Sequence, residues 1–382
     1  MNSQTIDRIF SQCKNSSWIK KIDNKKISED GFLSAIYQAN LHCGDPTVQE
    51  TVIVKIPDGS KIRGALEKVT GKVPTEDDVK PHLHALEFFF NRELDFYSMK
   101  PLPDIPLPYV YYCKNGDNIL AMEDLSSMKI VPYYDSLSPQ QVEAVGAKLL
   151  DLHTFSLTMA PEWSAKFKYP RQLLDSISSF GPMIAMFVEK HPILADSFEK
   201  LKKAFSDKAF LGRMLCDAHT EFGVPSFLCH GDLWSYNIMW HPTDEGGASR
   251  NIGKIIDWQN VHIGNICEDY AHLMTFNCDP EVRRKMEKEH LPAHYARLRL
   301  RASCARVDFE MTCETFIRCY KRTFVAHTLA ASFILSTMLT LKSSTDDKLN
   351  EKRVQCILKR ILANWEDAIV ILKREYPEYS LE

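Results

Sequence analysis

The chain has 382 residues, 45% of them hydrophobic and 25% charged, enough apolar material for one large core or two unequal lobes. Its 47 basic and 50 acidic residues leave a net charge of -3, so no global field would gather nucleic acid or an anionic membrane surface. The 11 cysteines are odd in number and scattered, without a C-x-x-C pair or zinc-finger spacing, which fits reduced thiols in a cytoplasmic protein rather than a disulfide scaffold.

The first residues, Met1-Asn2-Ser3-Gln4-Thr5-Ile6-Asp7-Arg8, lack the cationic start and apolar run of a signal peptide, and a helical region is expected at this end. Residues 28–34 then read as a turn before a strand at 35–41, where Gly31 and Ser34 would sit in a phosphate-cradling hairpin turn. That turn holds one glycine rather than G-x-G-x-x-G, so an ordinary turn fits it equally well.

Residues 51–56 form a β-branched strand in which alternation puts Val52, Val54 and Ile56 on one face and Ile53 with Lys55 on the other. An ammonium on an otherwise apolar sheet face needs a partner. The periodicity predicts a helix over 78–100 with Leu86, Phe90 and Tyr97 on its apolar stripe, and Glu93 falls on the same stripe. A carboxylate facing the core is costly unless paired, and Lys55 is its natural partner; the alternative is an edge-strand lysine and a solvated glutamate.

The prolines at 101, 103, 106 and 108 close off that helix and force an extended segment. Strand-like residues 109–113 and 118–122 follow, joined by Lys114-Asn115-Gly116-Asp117, whose Asn-Gly pair suits a tight hairpin turn. Residues 122–127 are the candidate hinge to a mainly helical remainder, with Met122 and Asp124 where a nucleotide base could pair with backbone groups. Ser138-Pro139-Gln140-Gln141 carries a capping serine, proline at the first helical position and a glutamine completing a capping box, so a helix should run to about 157. His153 shares its apolar face with Val142, Val145, Leu149 and Leu152 and reads as a satisfied core histidine.

The chemistry concentrates in His230-Gly231-Asp232-Leu233-Trp234-Ser235-Tyr236-Asn237 and in Ile255-Ile256-Asp257-Trp258-Gln259. Asp232 and Asn237 stand at the D-x-x-x-x-N spacing of a kinase catalytic loop, between strand-like runs at 224–229 and 237–240. Asp257 ends the apolar run 253–256, where a kinase places its metal-binding aspartate. Phosphoryl transfer needs one carboxylate to take the proton of the attacking hydroxyl, which suits Asp232, and oxygen ligands for magnesium, which suit Asn237 and Asp257. The apolar run at 323–341 is interrupted by His327, Ser332 and Ser336 and reads as a buried core helix rather than a membrane span.

Taken together, Lys55, residues 90–97, Met122-Glu123-Asp124-Leu125, Leu149-Leu150-Asp151-Leu152-His153, the 230–237 loop, Asp257-Trp258-Gln259 and Glu268-Asp269-Tyr270 resemble the choline kinase and aminoglycoside phosphotransferase superfamily. Within it they are similar to the ecdysteroid kinase-like, or CHK kinase-like, branch in its nematode-type form. The resemblance implies an α+β, bilobal, protein-kinase-like fold, with a small antiparallel-sheet N-lobe over 1–125 and a larger helical C-lobe over 126–382. It implies ATP and Mg2+ as cofactors and a small-molecule hydroxyl as acceptor. The sequence does not fix the oligomeric state, and a monomer is the expectation. It further implies Asp232 as base, Asn237 and Asp257 on the metal, Lys55 with Glu93 on phosphate, and His230 and Asp269 as support for the catalytic loop.

Three departures from protein kinases point away from peptide substrates: Gly231 replaces the Arg of H-R-D, Trp258-Gln259 replaces Phe-Gly, and no Ala-Pro-Glu follows Asp257. The acceptor pocket is expected in 160–225 and 280–345, for a steroid-like or xenobiotic alcohol or, alternatively, choline or ethanolamine. A kinase-shaped binding or scaffold protein without turnover is the competing reading.

Overall fold

A computed structural model of the chain describes residues 19–28, 34–43, 49–70, 72–114, 116–178, 180–341 and 345–380. They divide into two compact units: the described residues up to Leu102 with Leu107–Ser127 and Ile256–Asn260, and Pro103–Pro106 with Met128–Ile255 and the residues from Val261 on. The architecture is the expected α+β one, a small antiparallel sheet in the first unit and a larger, mainly helical second unit.

The first unit is a five-stranded sheet of β1 (Ile19–Ser28), β2 (Ser34–Cys43), β3 (Gln49–Pro57), β4 (Val110–Lys114) and β5 (Ile119–Glu123), in the order β1-β2-β3-β5-β4. Every pairing in it is antiparallel. Over 19–28 the helical N-terminal region expected above is a strand instead: Ile19 and Ile22, three apart, read as a helical period, and pairing with β2 overrides it, while residues 1–18 lie outside the described residues. The β4–β5 hairpin forms as read, with Gly116 and Asn118 at φ +88° and +53° supplying the left-handed residues of its turn.

Alternation along β3 also holds. Val52 and Val54 are buried with Ala39, Ile119 and Ala121 on one face, packed against Tyr37, Ile56, Tyr111 and Tyr112. Lys55 belongs to the opposite face, on the middle strand of the sheet, so it is no edge-strand guard. Between β3 and β4 come α1 (Ser60–Thr70) and α2 (Glu76–Ser98). A Thr75/Asp78 capping box opens α2, with the Thr75 amide donating to Asp78 Oδ2 at 2.8 Å. Its buried stripe contains Leu86, Phe90, Glu93, Leu94 and Tyr97.

The second unit opens with α3 (Pro139–Thr158), capped as its sequence requires: the Gln141 amide donates to Ser138 Oγ at 3.2 Å and the Ser138 amide to Gln141 Oε1 at 3.0 Å. Six shorter helices follow: α4 (Pro161–Lys166), α5 (Arg171–Ser178), α6 (Phe180–Lys190), α7 (Ala195–Ser206), α8 (Lys208–Cys216) and α9 (Ala218–Phe222). Two small antiparallel ladders come next, β6 (Phe227–Cys229) with β9 (His262–Gly264), and β7 (Ile238–Pro242) with β8 (Ala248–Ile255). The long helices α10 (Glu268–Asn277), α11 (Pro280–Cys304), α12 (Cys313–Leu341) and α13 (Asp347–Glu375) complete the unit. Every residue of α10 is buried. Of the described helices only α12 is long and apolar enough to cross a membrane, and 72% of that stretch is buried inside the protein.

His153 is the core histidine its apolar neighbours suggested: its Nδ1 lies 2.9 Å from His294 Nε2, and Tyr270 Oη lies 2.7 Å from His294 Nδ1. Burial lowers the imidazoles of His153, His272 and His327 to about 3, about 4 and about 3. An unfolded chain takes up protons on these groups below about pH 6.5, and the folded chain does not until far lower, so their contribution is complete above 6.5 and lost as pH falls. Asp269 acts in the opposite direction, because burial raises its carboxyl from 3.8 to about 6 and the folded state then protonates first. Three imidazoles outweigh one carboxyl, and the net loss from pH 7.5 to 5.5 should be on the order of 3 kcal/mol. Thermal melts across this range should show the midpoint dropping by several degrees; a flat or rising profile contradicts the assignment.

Candidate active site

In the first unit, Lys55 Nζ lies 2.7 Å from Glu93 Oε2 and 2.7 Å from Asp257 Oδ1. These three residues come from β3, from α2 and from the segment that follows β8. Burial alone would discharge the lysine, but Asp257 and then Glu93 outweigh it and hold its pKa above the ordinary lysine value. Burial pushes the Glu93 carboxyl upward, and the Lys55 contact draws it back. The Glu93 side chain is 1% exposed while that of Asp257 is 28% exposed, so the carboxylate of Asp257 is the one a ligand can reach.

Asp257 adopts φ +64°, a left-handed conformation that Asp tolerates better than most residues and that costs energy when nothing holds it. Two contacts of the next residue hold it. The Trp258 ring stacks on Phe96 with centroids 4.2 Å apart and planes 3° from parallel, and the Trp258 amide donates to Glu93 Oε1 at 3.3 Å. The tryptophan that departs from the Phe-Gly of protein kinases is thus a buried anchor for the aspartate before it.

In the second unit, β6 delivers the chain into the 230–237 loop. The buried Asp269 carboxylate accepts the His230 amide at 2.8 Å and the Gly231 amide at 2.9 Å, while Gly231 turns through φ +78°, a conformation in which a side chain is strained. The Asp232 amide then donates to His230 Nδ1 at 3.2 Å. Asn237 Nδ2 donates to the Asp232 carbonyl at 2.8 Å and to Asp232 Oδ2 at 3.1 Å, joining the two ends of the D-x-x-x-x-N motif. The Ser235 amide donates to Asn277 Oδ1 at 2.9 Å, which ties the middle of the loop to α10.

The structure therefore gathers Lys55, Glu93 and Asp257 in one unit and His230, Asp232, Asn237 and Asp269 in the other. Ser34 is buried on β2, paired with Pro57 of β3. Met122 is buried on β5, opposite Ile53. Asp124 Oδ1 accepts the Ser126 amide at 2.9 Å, and its Oδ2 accepts Ser126 Oγ at 2.9 Å and Gln38 Nε2 at 3.4 Å, so its carboxylate shapes the turn after β5. Gly31 lies outside the described residues. Sequence reasoning missed His272, a buried residue of α10 whose Nε2 lies 3.3 Å from Asp232 Oδ1. The one available signal was its position three residues beyond Asp269, which puts the two side chains on neighbouring positions of one helix face.

The fold is kinase-like: a choline kinase from Cryptosporidium parvum Iowa II superposes with a TM-score of 0.52 over 96% of this chain and 96% of its own, at 10% identity. The chain belongs to the family described as "Uncharacterized oxidoreductase dhs-27", whose model matches residues 15–375. It is 39% identical over 351 residues to the Caenorhabditis elegans protein of that name, covering 90% of this chain but 43% of the relative, so it spans less than half of that protein. It is also 25% identical over 371 residues to "Uncharacterized kinase-like protein D1044.1" of the same organism, covering 91% of this chain and 92% of the relative.

Proposed function

We propose that this protein is an ATP-dependent phosphotransferase whose acceptor is the hydroxyl of a small molecule. The observation that carries the reading is the buried Lys55 ammonium held between Glu93 and the more exposed Asp257, since a fold has little reason to bury this cation on a central strand except to present it to an anion. The Asp232–Asn237 bond in the other unit supplies the second half of the required chemistry.

Asp232, its side chain 25% exposed, would accept the acceptor's hydroxyl proton as the oxygen attacks the terminal phosphorus. The bond from that phosphorus to the bridging oxygen breaks, and ADP leaves with the electron pair. Lys55 would grip the phosphates, with Glu93 fixing its direction. Asn237 donates through Nδ2 and, among the described residues, its Oδ1 accepts no hydrogen bond; with the Asp257 carboxylate it offers the hard oxygen donors that magnesium prefers. Magnesium would neutralise the phosphate charge. His230 and Asp269 keep the loop in shape, and Gly31, Ser34, Met122 and Asp124 are proposed to line the nucleotide.

The word oxidoreductase stands in the description of the family matched over residues 15–375 and in the name of a relative of which this chain spans 43%. The pairings of the sheets described here are all antiparallel, whereas nicotinamide dinucleotides are bound by a parallel, doubly wound sheet with a glycine-rich first turn. For the acceptor, resemblance to the ecdysteroid kinase-like branch favours a steroid-like or xenobiotic alcohol in a cytosolic setting. A kinase-shaped binding or scaffold protein without turnover is the competing reading, and a kinase of choline or ethanolamine the second alternative.

Magnesium and ATP together should raise the melting temperature of the parent protein, and Asp257→Asn should show a smaller rise. A parent that ignores magnesium-ATP overturns the reading. ATP consumption against sterols, choline analogues and glycosides then identifies the acceptor class.

A further inference from the structure

We propose that Cys229, His262 and Glu268 form a binding site for a thiophilic divalent cation, zinc above all, beneath the loop that carries Asp232. This goes beyond the phosphotransferase reading and needs no nucleotide. The thiol, a ring nitrogen and a carboxylate oxygen of these residues lie within 4.8 Å of one another, and all three residues are buried. Their convergence follows from topology: Cys229 and His262 are direct cross-strand partners in the β6–β9 ladder, and Glu268 opens α10 four residues after that ladder ends.

Two unpartnered buried atoms point to a ligand, and a close backbone approach shows how tightly the His262–Glu268 pair is held. Glu268 Oε2 lies 3.1 Å from His262 Nε2, yet Oε1 of the same carboxylate is buried with no hydrogen-bond partner among the described residues, a costly arrangement for an anion. The backbone at Gly264 presses on the pair so closely that a Cβ there would stand 2.8 Å from His262 Nε2 and 3.0 Å from Glu268 Oε2. The Tyr169 ring packs edge-on to His262, centroids 4.6 Å apart, and its hydroxyl is also buried without a partner among the described residues.

The donor set selects the ion. One thiolate, one imidazole and one carboxylate suit zinc, and the thiolate with the carboxylate would cancel its two charges inside the core, whereas magnesium demands hard oxygens. Cys229 Sγ lies 3.3 Å from the Asn265 carbonyl as a thiol donor; binding replaces that proton with a sulfur–metal bond and releases it to solvent. Bond lengths of about 2.0–2.3 Å place tetrahedral ligands about 3.5 Å apart, a spacing inside the 4.8 Å limit within which the three donor atoms lie. A fourth position is left for water or the Tyr169 hydroxyl. The residues after the ligands are His230 and Asp269, whose mutual hydrogen bond sets the loop, so the ion would pin both sides of that contact.

The test uses the full chain, stripped with a chelator and free of nucleotide and magnesium, titrated with cobalt(II). We expect about one cobalt per chain with a thiolate-to-cobalt charge-transfer band. Zinc should displace it, an about hundredfold excess of magnesium should not, and Cys229→Ser should lose the band. Absence of stoichiometric binding, or a band that persists in Cys229→Ser, overturns the proposal and leaves a buried His–Glu pair beside a neutral thiol. Should that variant fail to fold, the parent titration and the zinc content of the unstripped protein decide alone. Failure here leaves the nucleotide-dependent stabilisation untouched, so the two readings are separable.

Discussion

Asp232→Asn should lower phosphate transfer to the best acceptor by about 100- to 10,000-fold, the usual contribution of a positioned general base, while magnesium-ATP still stabilises the protein. The substitution preserves size and leaves the loop's supports intact, because Asp269 holds the amides of His230 and Gly231 rather than the side chain at 232. Asn237 keeps its 2.8 Å bond to the backbone carbonyl of residue 232. What disappears is the proton acceptor. Turnover and thermal shift measured on the same preparations separate loss of chemistry from loss of folding or binding. Parental turnover in the variant would remove Asp232 from the mechanism.

Lys55→Met should be the most damaging single change in the sheet unit, for two reasons. It leaves the Glu93 carboxylate, 1% exposed, with the Trp258 amide as its remaining polar partner among the hydrogen bonds found here, and breaking a buried ion pair on one side costs about 3–5 kcal/mol. Protonation of Glu93 caps that penalty, since burial already raises its pKa. It also removes the cation proposed to grip phosphate, so the rise in melting temperature with magnesium-ATP should vanish. The double variant Lys55→Met, Glu93→Leu removes both charges and should recover part of the stability without recovering the nucleotide response. A Lys55→Met protein that still responds to magnesium-ATP like its parent would sink the phosphate-gripping role.

The groups behind these two effects differ in how visible they are in the sequence. The loop around Asp232 was legible because its residues fall within eight positions and its flanking strands are apolar. The lysine and glutamate pair was legible because each broke a local pattern, Lys55 an apolar strand face and Glu93 an apolar helical stripe, and two such exceptions imply each other. The strand at 19–28 was not legible, because a lysine-rich segment with Ile19 and Ile22 three apart shows no period-2 alternation, and hydrogen bonding to β2 alone makes it a strand. His272 was hidden on a helix buried along its whole length, where no face stands out as functional.

The sequence by itself determined the local matters: the capped start of the helix at 139, the hairpin at 110–123, the alternation of β3 and the order of groups in the 230–237 loop. These depend on torsional preference, capping and periodicity, which act over a few residues. Tertiary structure alone decided that Asp257 meets a lysine 202 positions earlier, that a stacked tryptophan holds that aspartate at positive φ, and that Cys229, His262 and Glu268 converge. Contacts of that span are set by how strands pair and how cores close, where one residue of register moves a side chain to the opposite face.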